Sequence, residues 1–384
     1  MERTVSGAVE PGFESVAHAF EANFTERGET GAAFSAVVDG RPVVDLWGGM
    51  ADGEADRPWG RDTVQLVFSG TKGLTATCLL VLADRGVLRL DAPVSQYWPQ
   101  FGAAGKEAIR VCDVLAHRAR MPGIPEPVML GDLLDGAALT AMLARHAPSR
   151  DPRADTYHPL TWGWLCGEIV RRVDGRSVGA FFAEEIATPL GLELWIGLPE
   201  EEEHRVTRIE LAPTWVEPPP GPEDDALLAS ITANPPLFDQ PLPWNRPDWH
   251  KAEMPASNAI GTARSFARLY GCLAAGGEVD GQRLLSAKTI EAGRRCLVDR
   301  FDPFQRRRTR FGAGFMLQTE QRLFGAPPDA FGHDGVGGSI HGAWPSRSTG
   351  FSYCTNQLRN DAPIDSRSQA LLDALDRSLR DRHN

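Results

Sequence analysis

The first segment of the chain has apolar residues at the three- and four-residue intervals of a helix. These residues are Phe13, Val16, Phe20 and Phe24. The spacing predicts an amphipathic helix with one face on a core, and Gly28 is a typical stop. Two β-rich runs, 33–38 and 41–46, then flank Asp39-Gly40, a dipeptide typical of the tight turn of a hairpin. The chain therefore begins with a predicted helix and a predicted β-hairpin.

The middle of the chain is predicted to be mostly helical. The run 74–86 is apolar on nearly every side, which predicts a helix buried all round. Another helix is expected over 165–173, ending near Gly175. Residues 213–247 are rich in proline but keep three aromatic residues, so they are predicted to form an ordered surface loop rather than a disordered linker. That loop either walls a substrate pocket or only covers the helical region.

Strand-like patterns return in the last third of the chain. Short β-like runs lie at 311–317, 339–343 and 351–355, after a helix predicted over 263–275. The chain closes with an amphipathic helix for which Ser366 is the expected cap. Its leucines are Leu371, Leu372, Leu375 and Leu379.

These patterns together predict an α+β fold. Strands from both ends of the chain would form one antiparallel sheet flanked by helices, with a mainly helical domain inserted between them. The predicted boundaries are 1–65 and 265–384 for the sheet domain and 66–264 for the helical domain.

Composition narrows the possible functions. The formal charge of −11 argues against a nucleic acid partner, because binding a phosphate backbone requires basic contacts. No apolar run approaches the ~20 residues that span a bilayer, and the N-terminus lacks the pattern of a signal peptide, so we expect a cytoplasmic protein without a membrane partner. The six cysteines include no CxxC pair. We expect neither a metal nor a cofactor.

Two serine motifs could supply a nucleophile, and the first surrounds Ser177. Residues 175–179 match the GxSxG nucleophile elbow, which requires a strand before the serine and a helix after it. Here a predicted helix ends at Gly175, so Ser177 is better placed to cap the next helix. We therefore interpret Ser177 as a structural residue.

The second motif, Ser69-Gly70-Thr71-Lys72, has SxxK spacing and directly precedes the buried helix. Ser69 and Lys72 would lie about one turn apart on the same face, where the helix N-terminus offers N–H groups to a developing anion. Such a pair can run acyl transfer, because the hydroxyl attacks a carbonyl while an amine of lowered pKa accepts its proton. Alternatively, Lys72 is a surface residue whose stem packs along the helix.

Seven segments, in order along nearly the whole chain, resemble the class C β-lactamase-like serine carboxylesterases and acyltransferases, the family VIII esterases of the penicillin-binding-protein superfamily. The segments are VVDLWGGMAD, LVFSGTKGL, DAPVSQYWPQF, IRVCDVLAHRARMPGI, TYHPLTWGWLCGEIVRRV, ASNAIGTARSFARLYGCLAAGG and FGHDGVGGS. The resemblance implies a β-lactamase/transpeptidase-like fold in which an antiparallel sheet flanked by helices stands beside a mainly helical domain. It also implies an active site between the two.

The same resemblance implies the catalytic residues. Ser69 would be the nucleophile and Lys72 its activating neighbour. Tyr157 matches the tyrosine of the superfamily's second motif, and it would share a proton with both and later protonate the leaving group. Whether Lys72 or Tyr157 is the general base stays open at the level of the sequence.

The third motif of the superfamily matches His333, Asp334 and Gly335. By the resemblance these residues would line the cleft and bind substrate. The backbone N–H groups of Ser69 and Val336 would form the oxyanion hole.

Two positions depart from the lactamase pattern. Pro159 stands where the second motif usually has asparagine, and His333 stands where the third motif usually has lysine, so a carboxamide and a fixed cation are lost. With an ordinary pKa of about 6.5, His333 would bind an anionic substrate more weakly as the pH rises through neutrality.

These departures favour ester chemistry over lactam hydrolysis. We expect a serine hydrolase that acts on small-molecule carboxylic esters through an acyl-enzyme, with an alcohol or amine as an alternative acceptor. A biosynthetic transacylase that forms esters or amides, a β-lactamase or D,D-peptidase, and a non-enzymatic scaffold or sensor are the other candidates. The sequence leaves the oligomeric state open.

Overall fold

The computed structural model describes residues 5–216 and 225–382. The strands are β1 (Val5–Val9), β2 (Gly31–Val38), β3 (Arg41–Asp52), β4 (Arg57–Pro58), β5 (Gln65–Leu66), β6 (Leu194–Ile196), β7 (Glu210–Leu211), β8 (Ala259–Gly261), β9 (Glu278–Val279), β10 (Gln282–Arg283), β11 (Val298–Asp302), β12 (Arg307–Phe311), β13 (Met316–Leu317), β14 (Phe331–Asp334), β15 (Ile340–Trp344), β16 (Thr349–Thr355) and β17 (Gln357–Leu358). The helices are α1 (Glu14–Glu26), α2 (Thr71–Asp84), α3 (Val111–Leu115), α4 (Gly136–Arg145), α5 (Thr161–Asp174), α6 (Val178–Phe182), α7 (Thr188–Leu190), α8 (Ala226–Thr232), α9 (Pro247–Lys251), α10 (Ala263–Ala274), α11 (Ala287–Arg294) and α12 (Ser366–Asp381).

A ten-stranded antiparallel sheet forms the centre of the protein. Its order is β1-β3-β2-β16-β15-β14-β13-β12-β11, with β4 beside β3. The two ends of the chain meet where β2 pairs with β16 over seven residues, from Ala32 opposite Thr355 to Val38 opposite Thr349. The prediction of one antiparallel sheet built from both ends of the chain is confirmed.

Helices cover both faces of this sheet. On one face, α1 and α12 bury Phe20 and Leu375 against Phe34 and Phe351. On the other face α10 lies directly on the sheet. Gly350 allows this close approach, since a Cβ there would overlap the backbone of α10. Successive residues of a strand point to opposite faces, so the same strands serve both layers. The prediction of a sheet flanked by helices is also confirmed.

Most elements predicted from local patterns are present, with two corrections. The run 311–317 is not one strand: it turns at 312–315, where Gly314 has a φ of +90°, between β12 and β13. Ser366 is not the cap of the last helix but its first residue. The cap is Asp365, whose side chain accepts from the Arg367 N–H at 2.8 Å.

The proline-rich segment 213–247 is more regular than the predicted loop, because it contains α8 and a 3₁₀ turn at Pro243–Asn245. Its residues 217–224 lie outside the described part of the chain. The sheet strands lie at 5–58 and 298–355, and the proposed division at 65/66 and 264/265 stays a prediction. Within the described residues, no helix combines the length and apolarity needed to cross a membrane.

Candidate active site

Ser69 lies in a tight turn between β5 and α2. Thr71 fixes this turn, because its Oγ1 donates to the Phe68 carbonyl at 2.6 Å and accepts from the Ala259 N–H at 2.8 Å. Gly70 leaves no room for a side chain, since a Cβ there would lie 2.6 Å from the ring of His341. The serine is therefore presented by a packed turn at the start of a buried helix.

The residue before the nucleophile adopts an unusual backbone conformation. Phe68 has a φ of +48°, a left-handed value that is strained for a bulky side chain. Its ring packs against Trp244 at 4.8 Å and Phe238 at 6.2 Å between centroids, and Phe238 in turn contacts Trp215 at 5.1 Å. We call Trp215, Phe238 and Trp244 the aromatic wall. The described part of segment 213–247 thus reaches the turn that carries Ser69.

Lys72 is completely buried, which excludes the alternative of a surface lysine. Its Nζ lies 3.1 Å from Ser69 Oγ, 2.7 Å from the Pro159 carbonyl oxygen and 3.0 Å from the Ala256 carbonyl oxygen. Burial disfavours the ammonium form and lowers the pKa of Lys72 well below its usual value.

The lowered pKa of Lys72 predicts a specific dependence of stability on pH. In the unfolded chain the amine regains its usual pKa of 10.5, so between the two values the unfolded chain binds one more proton than the folded protein. Lys72 therefore makes the free energy of unfolding rise with pH, by up to about 1.4 kcal/mol per pH unit, until the pH reaches the pKa of this lysine in the unfolded chain. Denaturant unfolding at several pH values should show that the free energy of unfolding of the wild type rises with pH relative to that of Lys72→Met, up to about pH 10. A difference that does not change with pH would contradict a neutral Lys72.

Tyr157 brings its hydroxyl to the same serine. The phenol donates to Ser69 Oγ at 2.8 Å, and the side chain is buried. Burial raises the pKa of Tyr157 above its usual value, so the phenol stays protonated at neutral pH. The structure thus brings together all three residues of the predicted catalytic group.

Residues that the sequence did not indicate hold Tyr157 in place. The Asp302 carboxylate accepts from the Tyr157 backbone N–H and from the Thr156 hydroxyl, both at 2.7 Å. The ring of His117 packs on Tyr157 at 4.6 Å, and its Nδ1 accepts from the His158 N–H at 3.1 Å. Thr156 and His158 adjoin the motif tyrosine in the chain, whereas His117 and Asp302 approach from distant parts of it and could not be placed beside Tyr157 from the sequence.

The third motif lies at the end of β14. His333 faces His341 across the β14–β15 pair, and its side chain is fully buried with Nδ1 donating to the Asp334 carbonyl at 2.8 Å. Burial, together with nearby Lys72, lowers the pKa of His333 to about 4. The ring is neutral at neutral pH, so the expectation of a titrating cation that grips an anionic substrate near pH 7 is wrong.

Asp334 pairs with a basic residue that the sequence analysis missed. Arg307 on β12 donates to its carboxylate at 3.0 Å. Burial opposes ionisation of Asp334, but Arg307 and His333 outweigh it and hold the pKa below its usual value. Asp334 is therefore an ionised partner of Arg307, with about a quarter of its side chain exposed.

Gly335 lies directly against the turn that carries the nucleophile, and Val336 follows it in the chain. A Cβ at Gly335 would overlap the Val67 carbonyl oxygen, so only glycine allows this contact. Val336 is 41% exposed. Across residues 5–216 and 225–382, no acceptor pairs with the backbone N–H of Ser69 or with that of Val336. Both N–H groups are therefore available to a bound ligand.

Ser177 has the environment of a helix cap. Its Oγ accepts from the Ala180 N–H at 3.2 Å and donates to the Glu253 carboxylate at 2.6 Å. The helix α5 ends before it at Gly175, which has a φ of +94°. The interpretation of Ser177 as a cap is confirmed. The described residues also contain no group of three His, Cys, Asp or Glu side chains that could hold a metal ion.

The fold places this protein in the β-lactamase/transpeptidase-like class. A model of the family described as Beta-lactamase matches residues 16–375, and the chain belongs to this family. It is 35% identical to the Esterase/beta-lactamase LipL of Mycobacterium tuberculosis, in an alignment that covers 93% of this chain and 84% of LipL.

Solved structures show the same similarity. A family VIII carboxylesterase superposes with a TM-score of 0.90 at 39% identity, covering 98% of this chain and 100% of that one. A penicillin-binding protein homologue from Caulobacter crescentus has a TM-score of 0.88 at 37% identity, with coverage of 98% and 100%. The chain is therefore an enzyme of the β-lactamase superfamily, a serine hydrolase of the esterase/β-lactamase type.

Proposed function

We propose that the protein hydrolyses small carboxylic esters through an acyl-enzyme on Ser69. The observation that carries the proposal is the surroundings of Lys72 Nζ, which meets two carbonyl oxygens and one hydroxyl. A neutral amine has two N–H groups and one lone pair. The carbonyls of Pro159 and Ala256 accept the two N–H groups, so the lone pair is left for the Ser69 hydroxyl.

The protonation states of the other groups support Lys72 as the general base. Burial lowers the pKa of Lys72 and raises the pKa of Tyr157, so burial favours the neutral form of both groups before reaction. The Tyr157 O–H then donates to Ser69 Oγ, while the serine proton is directed at Lys72. Lys72 is therefore the general base that we propose, where the sequence left the choice between Lys72 and Tyr157 open.

The reaction proceeds in two balanced halves. Ser69 Oγ attacks the ester carbonyl carbon as Lys72 takes the hydroxyl proton, and the N–H groups of Ser69 and Val336 stabilise the oxyanion. The bond to the alcohol oxygen breaks as Tyr157 protonates that oxygen, and the proton held by Lys72 restores the phenol. Water then attacks the acyl-enzyme with the same proton transfers and releases the acid. An alcohol or amine in place of water gives acyl transfer.

The acyl pocket is proposed to accept apolar groups. Phe238 and Trp244 pack on Phe68, next to the nucleophile, and Trp215 packs on Phe238. Apolar side chains at this position favour acyl or aryl groups over charged ones. The Pro159 carbonyl is already occupied by Lys72, and His333 is buried and neutral. Pro159 lacks the carboxamide, and a neutral His333 lacks the fixed positive charge, that would orient a β-lactam. Lactam hydrolysis is kept as the second candidate because the similar LipL is named for both activities.

Short-chain aryl esters and a cephalosporin should separate the two candidates. We expect kcat/KM for the esters to exceed that for the cephalosporin by on the order of a hundredfold, because misorientation alone costs about that factor. Intact mass during ester turnover should show the acyl group added to the protein. Cephalosporin opening near ~10⁷ M⁻¹s⁻¹, with slower ester turnover, would instead make the protein a lactamase. Adding an amine with each ester would reveal transfer as a new amide product.

A further inference from the structure

The segment that carries the Val336 N–H is poorly supported by packing on one side. We call residues 335–338 the oxyanion segment. A cleft of about 190 Å³ lies against it, lined by the segment itself and, among others, by residues 359–360 and 362–365. On the side of this cleft the segment has no protein atoms packed against it. The position of the Val336 N–H must therefore be fixed by specific contacts at the two ends of the segment.

One end is fixed by the sheet and by the nucleophile turn. The Gly335 N–H donates to the Ser339 carbonyl at 2.8 Å, and its Cα is pressed against Val67. The other end is fixed at the Gly337 carbonyl. This oxygen accepts from the Arg359 backbone N–H at 3.1 Å and from the Arg367 guanidinium at 3.2 Å.

Arg367 is itself held rigidly in the interior. Its side chain is completely buried and lies between two carboxylates, Glu29 at 3.0 Å and Asp365 at 2.6 Å. The nitrogen that donates to Asp365 also lies 3.2 Å from both the Gly337 and the Gln357 carbonyl oxygens, so its second N–H is shared between these two carbonyls. A planar fork with several fixed donors can hold carbonyl and carboxylate partners at the same time, whereas a lysine ammonium cannot match that geometry.

We propose that Arg367 is a positioning residue for acylation, which holds the Gly337 carbonyl so that the Val336 N–H meets the oxyanion of the reacting ester. The role rests on the proposed function, since it requires an acyl oxyanion beside Val336. Arg367 does not touch the substrate. It acts through the oxyanion segment, which would otherwise be free to move toward the cleft.

The test compares Arg367→Lys with a matched control, Arg359→Lys. Both arginines bond to Gly337, but Arg359 does so through its backbone, which the substitution keeps, while its side chain bonds elsewhere, to the Arg27 and Gly28 carbonyls. We expect Arg367→Lys to slow acylation by an aryl ester about 10- to 100-fold with little change in KM, because a displaced oxyanion donor costs a factor of this order. Arg359→Lys should acylate within about twofold of the wild type.

A thionoester separates positioning from a purely structural role. The sulfur of a thiocarbonyl is a weaker hydrogen-bond acceptor than oxygen, so the wild type should prefer the oxygen ester over the matched thionoester. In Arg367→Lys the ratio of the acylation rates of the oxygen ester and the thionoester should fall by about the same factor as the acylation rate of the oxygen ester itself. Equal losses on the two substrates would overturn the positioning role.

A second variant tests the same role in case Arg367→Lys does not fold. Asp365→Asn keeps a capping side chain for α12 and keeps Arg367, but it weakens the ion pair that orients the guanidinium. Asp365→Asn should also lower the preference for the oxygen ester, and an unchanged preference in a folded Asp365→Asn protein would also overturn the proposal.

A wild type that acquires no acyl group on Ser69 contradicts the proposed function itself. Acylation at Ser69 with full activity in Arg367→Lys contradicts only the role of Arg367.

Discussion

Ser69→Ala is expected to abolish ester turnover, with a loss of at least about 10⁴-fold in kcat, because the proposed acyl-enzyme forms on the Ser69 hydroxyl. In the wild type, an aryl phosphonate should add its mass to the peptide that contains Ser69. The turn that presents Ser69 is fixed by backbone and Thr71 contacts that the substitution leaves intact. The variant should therefore fold normally, which thermal unfolding would show.

The other serine motif supplies the control for this experiment. Ser177→Ala removes a helix cap and should cost about 0.5–2 kcal/mol of stability, while acylation at saturating ester stays close to that of the wild type. Phosphonate labelling at Ser177, or activity retained by Ser69→Ala, would overturn the assignment of the nucleophile.

Lys72→Met and Tyr157→Phe should each slow acylation by about 10³-fold or more, with the double variant little worse than either single one. Both side chains act on the same hydroxyl, with Lys72 Nζ at 3.1 Å and Tyr157 OH at 2.8 Å from Ser69 Oγ. Groups that work as one unit give strongly non-additive losses. Single-turnover acylation by an aryl ester measures each loss, and losses that simply multiply would show that the two residues act independently.

The pH dependence of acylation adds a second check on this pair. The base must be neutral, so kcat/KM should fall only when the pH drops below the lowered pKa of Lys72. The pKa of Tyr157 is raised, so ionisation of the phenol should cause no loss at moderately alkaline pH. An alkaline loss of activity near the usual phenol pKa of 10, absent from Tyr157→Phe, would indicate that Tyr157 is not shielded as the structure shows.

The sequence was most informative where the signal is local. The hairpin turn at Asp39-Gly40 and the apolar helix after Ser69 depend on neighbouring residues alone, and both are present as predicted. The spacing of Ser69 and Lys72 reflects one turn of that helix, so their proximity could be predicted as well. Tyr157 could be placed only by family resemblance, because it lies 88 residues from Ser69 along the chain.

The supporting residues could not be predicted because their partners are remote in sequence. Asp302 meets Tyr157 across 145 residues, and no pattern around either position indicates the contact. Arg307 stands in a run of arginines, of which the fold selects this one to meet Asp334. The charge of His333 was predicted wrongly for a related reason. Its pKa depends on complete burial, which the sequence around it does not reveal.

Because Phe68 has a left-handed backbone conformation, we expect substitutions that change which esters the enzyme accepts to change its catalytic rate as well. The rings of Trp244 and Phe238 pack on Phe68 and help to hold it in that conformation. Phe68 directly precedes the nucleophile Ser69 in the chain. A smaller residue at either position would make room for bulkier esters in the proposed acyl pocket, but it would also let the backbone relax and carry Ser69 away from Lys72. Variants selected for broader specificity should therefore lose turnover on small esters until a further substitution refills the space beside Phe68.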